Sequence, residues 1–399
     1  MSIFTNQILR RITVADLQKF KIGKFERKGL ETLLSSKRVT GARLWMEHQF
    51  LAQVNRLPHA MLYRLMGGRP ETLGTRTLGA EMQAIAFTSR RMKPFHEYPK
   101  DAMRVRYQYV SRMMGRQGPP ALQVRRKRIH LNSVAGGDRW LQIRTYTPAQ
   151  TRLPRPMLVY FHGGGWCIGG ADTHEDFCLY IAERTNMAVV SVDYRLAPEH
   201  PYPLPVEDVI DAWQWIAEHA AMLGGDERYL LVGGDSAGGN LSAVLCQQAY
   251  LRGFRMPAGQ VLLYPSTDMR CQHASHQEMG DDYLLTGKWI HWFITSYLQS
   301  NQKRVEPQAS PLLADFEVFR HQPPAIVVTC GFDPLRDEGE EYAEKLSAAG
   351  VSVDYHEFSH LLHGFIGMLG VSGQAISAAN TISAQILGLL ARLEGIQNS

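Results

Sequence analysis

Cysteine is sparse in this chain: five in 399 residues, Cys167, Cys178, Cys246, Cys271 and Cys330. The odd number and the lack of any C-x-x-C spacing argue against a full disulfide framework and point to a reducing, cytoplasmic setting. Long apolar runs are missing too. No stretch approaches the roughly 18 apolar residues of a membrane-spanning helix. The opening "MSIFTNQILRRITVADLQKF" has neither the unbroken apolar segment nor the small-residue cleavage site of a secretory signal. There is no H-E-x-x-H and the histidines are scattered, so no metal site is expected. The phosphate-cradling patterns G-x-G-x-x-G and G-x-x-x-x-G-K are absent, and no cofactor is implied. Internal repeats and low-complexity tracts are lacking as well.

Acidic residues are short at one end only. Residues 1–130 hold 26 Lys and Arg against 8 Asp and Glu, a net +18, whereas the remainder holds 17 against 30, a net −13. Such a split suits an anionic partner or a basic segment that packs on an acidic one, and the second is the reading preferred here. No finger, RRM or homeodomain signature accompanies the charge, so nucleic acid is not an expected partner.

From about residue 120 onward, strand and helix patterns alternate. "LQVRRKRIHL" and "WLQIRTYTP" flank a hairpin turn at Ala135-Gly136-Gly137-Asp138. Short aliphatic runs follow at 157–161, 187–192, 229–233, 260–264, 325–330 and 351–358, continuously hydrophobic as in strands covered on both faces. Helical patterns lie between them, giving a doubly wound α/β domain with a mostly parallel central sheet flanked by helices. Two regions break the alternation. Residues 1–120 read as helical, with Met46, Phe50, Val54, Leu57, Met61 and Leu65 at three- and four-residue steps, divided at Pro58 and ended by Gly67-Gly68. Residues 266–306 carry the aromatic helical run "KWIHWFITSYL". Together they are read as a lid on the α/β domain made of 121–265 and 307–399.

One serine stands bare. "YLLVGGDSAGGNLSAVL" sets Ser236 between Gly233-Gly234 and Gly238-Gly239, after a strand and before a helix. That is G-x-S-x-G in the context of a nucleophile elbow, where a sharp turn leaves no room for bulky neighbours and exposes the hydroxyl. Serine is a poor nucleophile near neutral pH without an adjacent base, and in hydrolases of this design the acid and then the histidine follow in sequence. Asp333 lies just past the run "AIVVTC", where open α/β sheets gather their sites. Asp337, Glu338 and Glu340 are read as the first turn of the next helix, where carboxylates favour the dipole. "FSHLLHGF" offers His360 and His363; His363 precedes a glycine in an expected exposed loop, while His360 is read as a surface residue and His356 as a structural one within a strand. Upstream, the consecutive glycines of "YFHGGGWCIGG" leave backbone N–H groups open to a carbonyl oxygen.

Taken together, "HGGGW", "DYRLAPEHPYP", "GDSAGGN", "DPLRDEG" and "HGF" resemble the bacterial hormone-sensitive-lipase family of carboxylesterases, from about residue 150 to the end. The resemblance implies an α/β-hydrolase fold with a helical cap. It also implies Ser236 as nucleophile, Asp333 as acid, His363 as base, and Gly164, Gly165 and Ala237 as oxyanion donors, with His162 a scaffold residue. "DYRLAPEHPYP" would then position the wall of the site. The expected activity is hydrolysis of short- to medium-chain acyl esters, small molecules, through an acyl-enzyme. Competing readings are amide hydrolysis, since the loop also resembles the arylformamidase-type H-G-G-x-W, a membrane-surface lipase using the basic segment, and a catalytically inert small-molecule receptor. The sequence leaves a homo-oligomer open. The departure from the family is the length of the N-terminal segment.

Overall fold

The computed structural model describes residues 48–49, 52–90, 97–116, 122–133, 135–148 and 154–397. Each aliphatic run becomes a strand, and each amphipathic stretch between them a helix. The N-terminal part supplies α1 (His59–Met66), a two-strand ribbon β1 (Thr72–Leu73) and β2 (Arg76–Thr77), α2 (Ala80–Ser89) and α3 (Lys100–Met114). The sheet strands are β3 (Leu122–Ser133), β4 (Gly137–Pro148), β5 (Arg155–Phe161), β6 (Ala188–Asp193), β7 (Gly225–Asp235), β8 (Gly259–Leu263), β9 (Ala325–Phe332) and β10 (Val353–Leu362). Between and after them come α4 (Ala171–Thr185), α5 (Leu204–Glu218), α6 (Ala237–Arg252), α7 (Ala274–Met279), α8 (Gly287–Leu298), α9 (Phe316–Arg320), α10 (Arg336–Ala348) and α11 (Gly373–Gln397).

These eight strands form one sheet in the order β10-β9-β8-β7-β5-β6-β4-β3. The β3/β4 and β4/β6 pairs are antiparallel and the rest parallel. Both faces are covered, which is why the central strands read as unbroken apolar runs. Leu158 and Tyr160 face one layer, with α4 and α11. Val159 and Phe161 face the other, with α5 and α6. The C-terminal helix is long and apolar enough by composition to cross a membrane, with mean hydropathy 1.2 over 373–395. Its Ala375, Ala379, Ile382, Ile386 and Leu389 are instead buried against the sheet, the arrangement of a core helix.

The N-terminal stripe is corrected in phase. Pro58 does end one helical stretch and cap the next, and Gly67 ends it. Beyond that break the buried positions are Leu62 and Met66 rather than Met61 and Leu65, because the proline interrupts the helical register between the two pieces. Met46 and Phe50 lie outside the described residues.

Several of the described basic residues of the N-terminal part pair with the acidic remainder. Arg76 pairs with Glu357, Arg104 with Glu199, and Arg116 with both Asp176 and Glu183. β2 also runs beside β10, where the Gly79 N–H donates to the His360 carbonyl at 2.9 Å. An edge of the sheet is thereby covered by chain from the opposite terminus.

Candidate active site

β7 ends at Asp235 and α6 begins at Ala237, so Ser236 alone makes the turn, with φ 55° and ψ −118°. That left-handed backbone is costly for a residue with a Cβ and persists only where its surroundings over-determine it. The surroundings do so here. A Cβ at Gly234 would overlap the Phe161 carbonyl and Gly238, and one at Gly238 would overlap the same carbonyl. The Ser236 N–H is fixed by the Leu263 carbonyl at 2.8 Å.

The Ser236 Oγ lies 2.9 Å from His363 Nε2, and His363 Nδ1 lies 2.7 Å from Asp333 Oδ2. An ionised carboxylate only accepts, so Nδ1–H donates to Asp333 and Nε2 is left to accept from the serine hydroxyl. Asp333 is wholly buried, its other oxygen accepting from the Leu335 N–H at 2.9 Å. His363 differs from its expected exposed loop. β10 continues through a bulge to Leu362, so the imidazole sits at the pocket floor beside the Tyr264 ring, with 12% of its side chain exposed. His360 and His356 lie within β10, and the His356 ring is tilted against that of Phe358.

Asp337 and Glu338 do open α10, as read, but they are also employed. Glu338 is fully buried, accepts from the Thr267 N–H at 2.8 Å and pairs with His276 at 2.8 Å. Asp337 accepts from the Ser275 N–H. The segment after β8 is thus bonded to the first turn of α10, directly after the loop that carries Asp333.

The glycine loop after β5 passes over the elbow. Gly164 and Gly165 have φ 116° and 57°, and their N–H groups have no acceptor among the described residues. Ala237 is the first residue of α6, where the N–H has no intrahelical partner. Three open donors therefore lie at the two turns that flank Ser236. The loop is braced from beneath by Asp235, which accepts from the Gly163 N–H at 2.9 Å and the Tyr160 hydroxyl at 2.7 Å and faces His174 at 3.4 Å. Burial would pull His174 down, yet the Asp235 charge lifts its pKa above the ordinary histidine value. Asp235 is in turn held low against its own burial by His174. His162 is the opposite case. Burial and the neighbouring His174 push it to about 3, so it stays neutral, stacked on Tyr194.

The loop is braced from above as well. Trp166 stacks on Tyr297 of α8 with ring centroids 4.5 Å apart, and the Phe293 ring covers Gly165. Residues 193–203 tie these parts together: Ala197 N–H to the Trp166 carbonyl, Tyr202 N–H to the Tyr297 carbonyl, both 2.9 Å. That gives "DYRLAPEHPYP" a physical account that its residues alone did not. Sequence reasoning missed Asp235 and His174. An acidic residue immediately before the elbow serine, necessarily buried there, was the available signal for the first.

Above Ser236 opens a cavity of about 350 Å³. α3 and α8 line opposite walls with Val110, Met114, Ile290 and Phe293, while Glu97, Asp281 and Lys288 stand among its charged lining residues. The pocket is apolar with convergent polar groups at one point, the pattern of a small-molecule site.

Comparison with known proteins agrees with this geometry. A family model for the alpha/beta hydrolase fold matches residues 158–367. The carboxylic ester hydrolase LipN of Mycobacterium tuberculosis is 44% identical over 267 residues, covering 65% of this chain and 70% of its own. An ethyl acetate hydrolase of Pseudomonas putida is 37% identical, covering 59% of this chain and 74% of its own. Among solved structures, a thermostable esterase from Pseudomonas putida superposes with a TM-score of 0.73 at 30% identity, over 77% of this chain and 96% of that one. With its elbow, its glycine loop and relatives of this similarity, the chain belongs to the α/β-hydrolase fold family, among the hormone-sensitive-lipase-like carboxylic ester hydrolases.

Proposed function

We propose that the protein is a serine carboxylesterase that cleaves short- to medium-chain acyl esters through an acyl-enzyme on Ser236. The observation that carries this is the unbroken relay Ser236–His363–Asp333, at 2.9 and 2.7 Å, beside three open N–H donors. His363 Nε2 takes the serine proton as Oγ attacks the ester carbonyl carbon. Asp333 keeps the tautomer and stabilises the imidazolium without being protonated itself. The developing oxyanion rests on the N–H groups of Gly164, Gly165 and Ala237, each such donor contributing about 2.7–4 kcal/mol to the transition state. His363 then protonates the leaving alcohol, and the same base activates water against the acyl-enzyme.

The apolar cavity supports an acyl group of modest size. Its two-sided lining supports a cap in two parts, one from the N-terminal segment and one from 266–306. Five free thiols, four of them buried, suit a reducing cytoplasmic setting.

A chain-length series of p-nitrophenyl esters, run beside Ser236→Ala and a matched anilide, tests the reading. Turnover should peak at short to medium acyl chains, exceed that of the anilide, and vanish in the variant. Wild-type hydrolysis by Ser236→Ala would end the assignment. Preference for the anilide would favour an amide hydrolase.

A further inference from the structure

A second, smaller cavity of about 40 Å³ is lined by Asp235 and Gly364, the chain neighbours of Ser236 and His363. It shares Tyr107, Ser111, Asp235, Gly364 and Gly367 with the large pocket, and His174 completes its polar wall. Phe177 and Ile366 share its lining with hydroxyls, carboxylates, an imidazole and glycine backbone, and the space is roomy enough for water at roughly 10–15 Å³ per molecule and offers it several polar partners. The large pocket is more strongly apolar, with Val110, Met114, Ile290 and Phe293 available to an acyl chain. An acyl chain bound there as an ester of Ser236 would close the apolar side to water, whereas the small cavity would stay open at Gly364, the residue after His363. The backbone there has been left bare: a Cβ at Gly364 or at Gly367 would meet nothing within 4 Å.

The geometry points to this small cavity as the water site that supplies deacylation. The inference rests on the acyl-enzyme reading above. Water stored between Tyr107, Ser111 and Gly367 passes Gly364 and reaches the acyl carbon. Its oxygen forms the new C–O bond as one proton moves to His363 Nε2. The tetrahedral intermediate then breaks its bond to Ser236 Oγ, which recovers that proton from His363, and the carboxylic acid leaves.

Gly367 gives a direct test, because its backbone lies outside the left-handed region and accepts a side chain without strain. Gly367→Ala and Gly367→Val fill the shared wall in steps, and Ser111→Val does so from α3. Each protein is mixed with one equivalent of p-nitrophenyl butyrate. Release of p-nitrophenol reports acylation, and the acyl mass on Ser236, followed by mass spectrometry, reports deacylation. The expected result in Gly367→Val is deacylation slowed about tenfold more than acylation, modest beside the ~10²-fold cost of misplacing a reacting group by an ångström. Gly367→Ala should fall between, and Ser111→Val should follow the same pattern. Deacylation at the wild-type rate in both valine variants, or acylation slowed as much as deacylation, overturns the inference. If Ser236→Ala releases p-nitrophenol at the wild-type rate, the nucleophile assignment fails instead, and the two failures are told apart.

Discussion

The Phe293 ring of α8 sits against the Gly165 α-carbon so closely that a Cβ there would overlap it. One residue of the insertion thus fixes the height of the glycine loop above the serine.

Gly165→Ala should therefore lower kcat by about 10²-fold or more, the range seen when an oxyanion donor is displaced, with a smaller change in KM. A left-handed alanine costs only about 1–2 kcal/mol, so the ring rather than φ dominates. Adding Phe293→Ala should restore part of the loss. Steady-state kinetics of the single and double variants check this, and no recovery in the double variant would count against it.

Asp333→Asn should leave the fold intact and reduce kcat by about 10⁴-fold, because an amide can donate to Nδ1 and turn Nε2–H toward the serine. Circular dichroism together with kcat on p-nitrophenyl acetate would establish both halves.

His174→Gln removes a charge partner whose contribution depends on pH. Burial alone would lower His174, but Asp235 raises its folded pKa above the ordinary 6.5, with the Gly170 carbonyl and Asp193 assisting. The stabilisation is fully present below about pH 6.5 and is lost as pH climbs through the raised folded value. The gap in urea midpoint between wild type and variant should be widest near pH 6 and narrow on the alkaline side. A gap that grows with pH would contradict the pairing.

Arg104 bonds α3 to the rest of the site: Nε to the Cys167 carbonyl at 2.9 Å, Nη2 to the Ala197 carbonyl at 3.0 Å, and both terminal nitrogens to Glu199. Hydrogen bonds from Arg104 are the main reason Glu199 is held at about 2. Arg104→Ala should raise KM several-fold and cost about 1–2 kcal/mol, the ion pair being partly exposed. Arg104→Lys should not rescue it, since an ammonium cannot serve two carbonyls and a carboxylate in one plane. Ester kinetics and thermal unfolding measure the two effects.

The parts of the site that sequence reading reached are those encoded locally. Ser236 stands in a strand–turn–helix whose glycines announce close backbone approach, and the Asp333 and His363 choices followed from strand ends and chain order. What stayed hidden depends on how distant elements cross. "KWIHWFITSYL" reads as a helix, but that Phe293 faces Gly165 and Tyr297 faces Trp166 is set by the placement of α8. Tyr107, Ser111 and His174 lie on helices whose patterns disclose an inward face and nothing about what they meet. The β10 run appeared to stop at Phe358, since Ser359 and His360 break its apolar pattern where the bulge carries the strand onward.

The chain's early residues hold hands with its late ones. Arg76 bonds Glu357, Asn55 bonds the Val371 carbonyl, and Glu81 accepts from Ser372 and the Gln374 N–H, across separations of 281 to 316 residues. During synthesis those early residues therefore leave the ribosome long before any of these partners exists. These contacts must wait, unmade, until residues near 375 have been translated, so nascent chains shorter than about 375 residues are where chaperone dependence should concentrate.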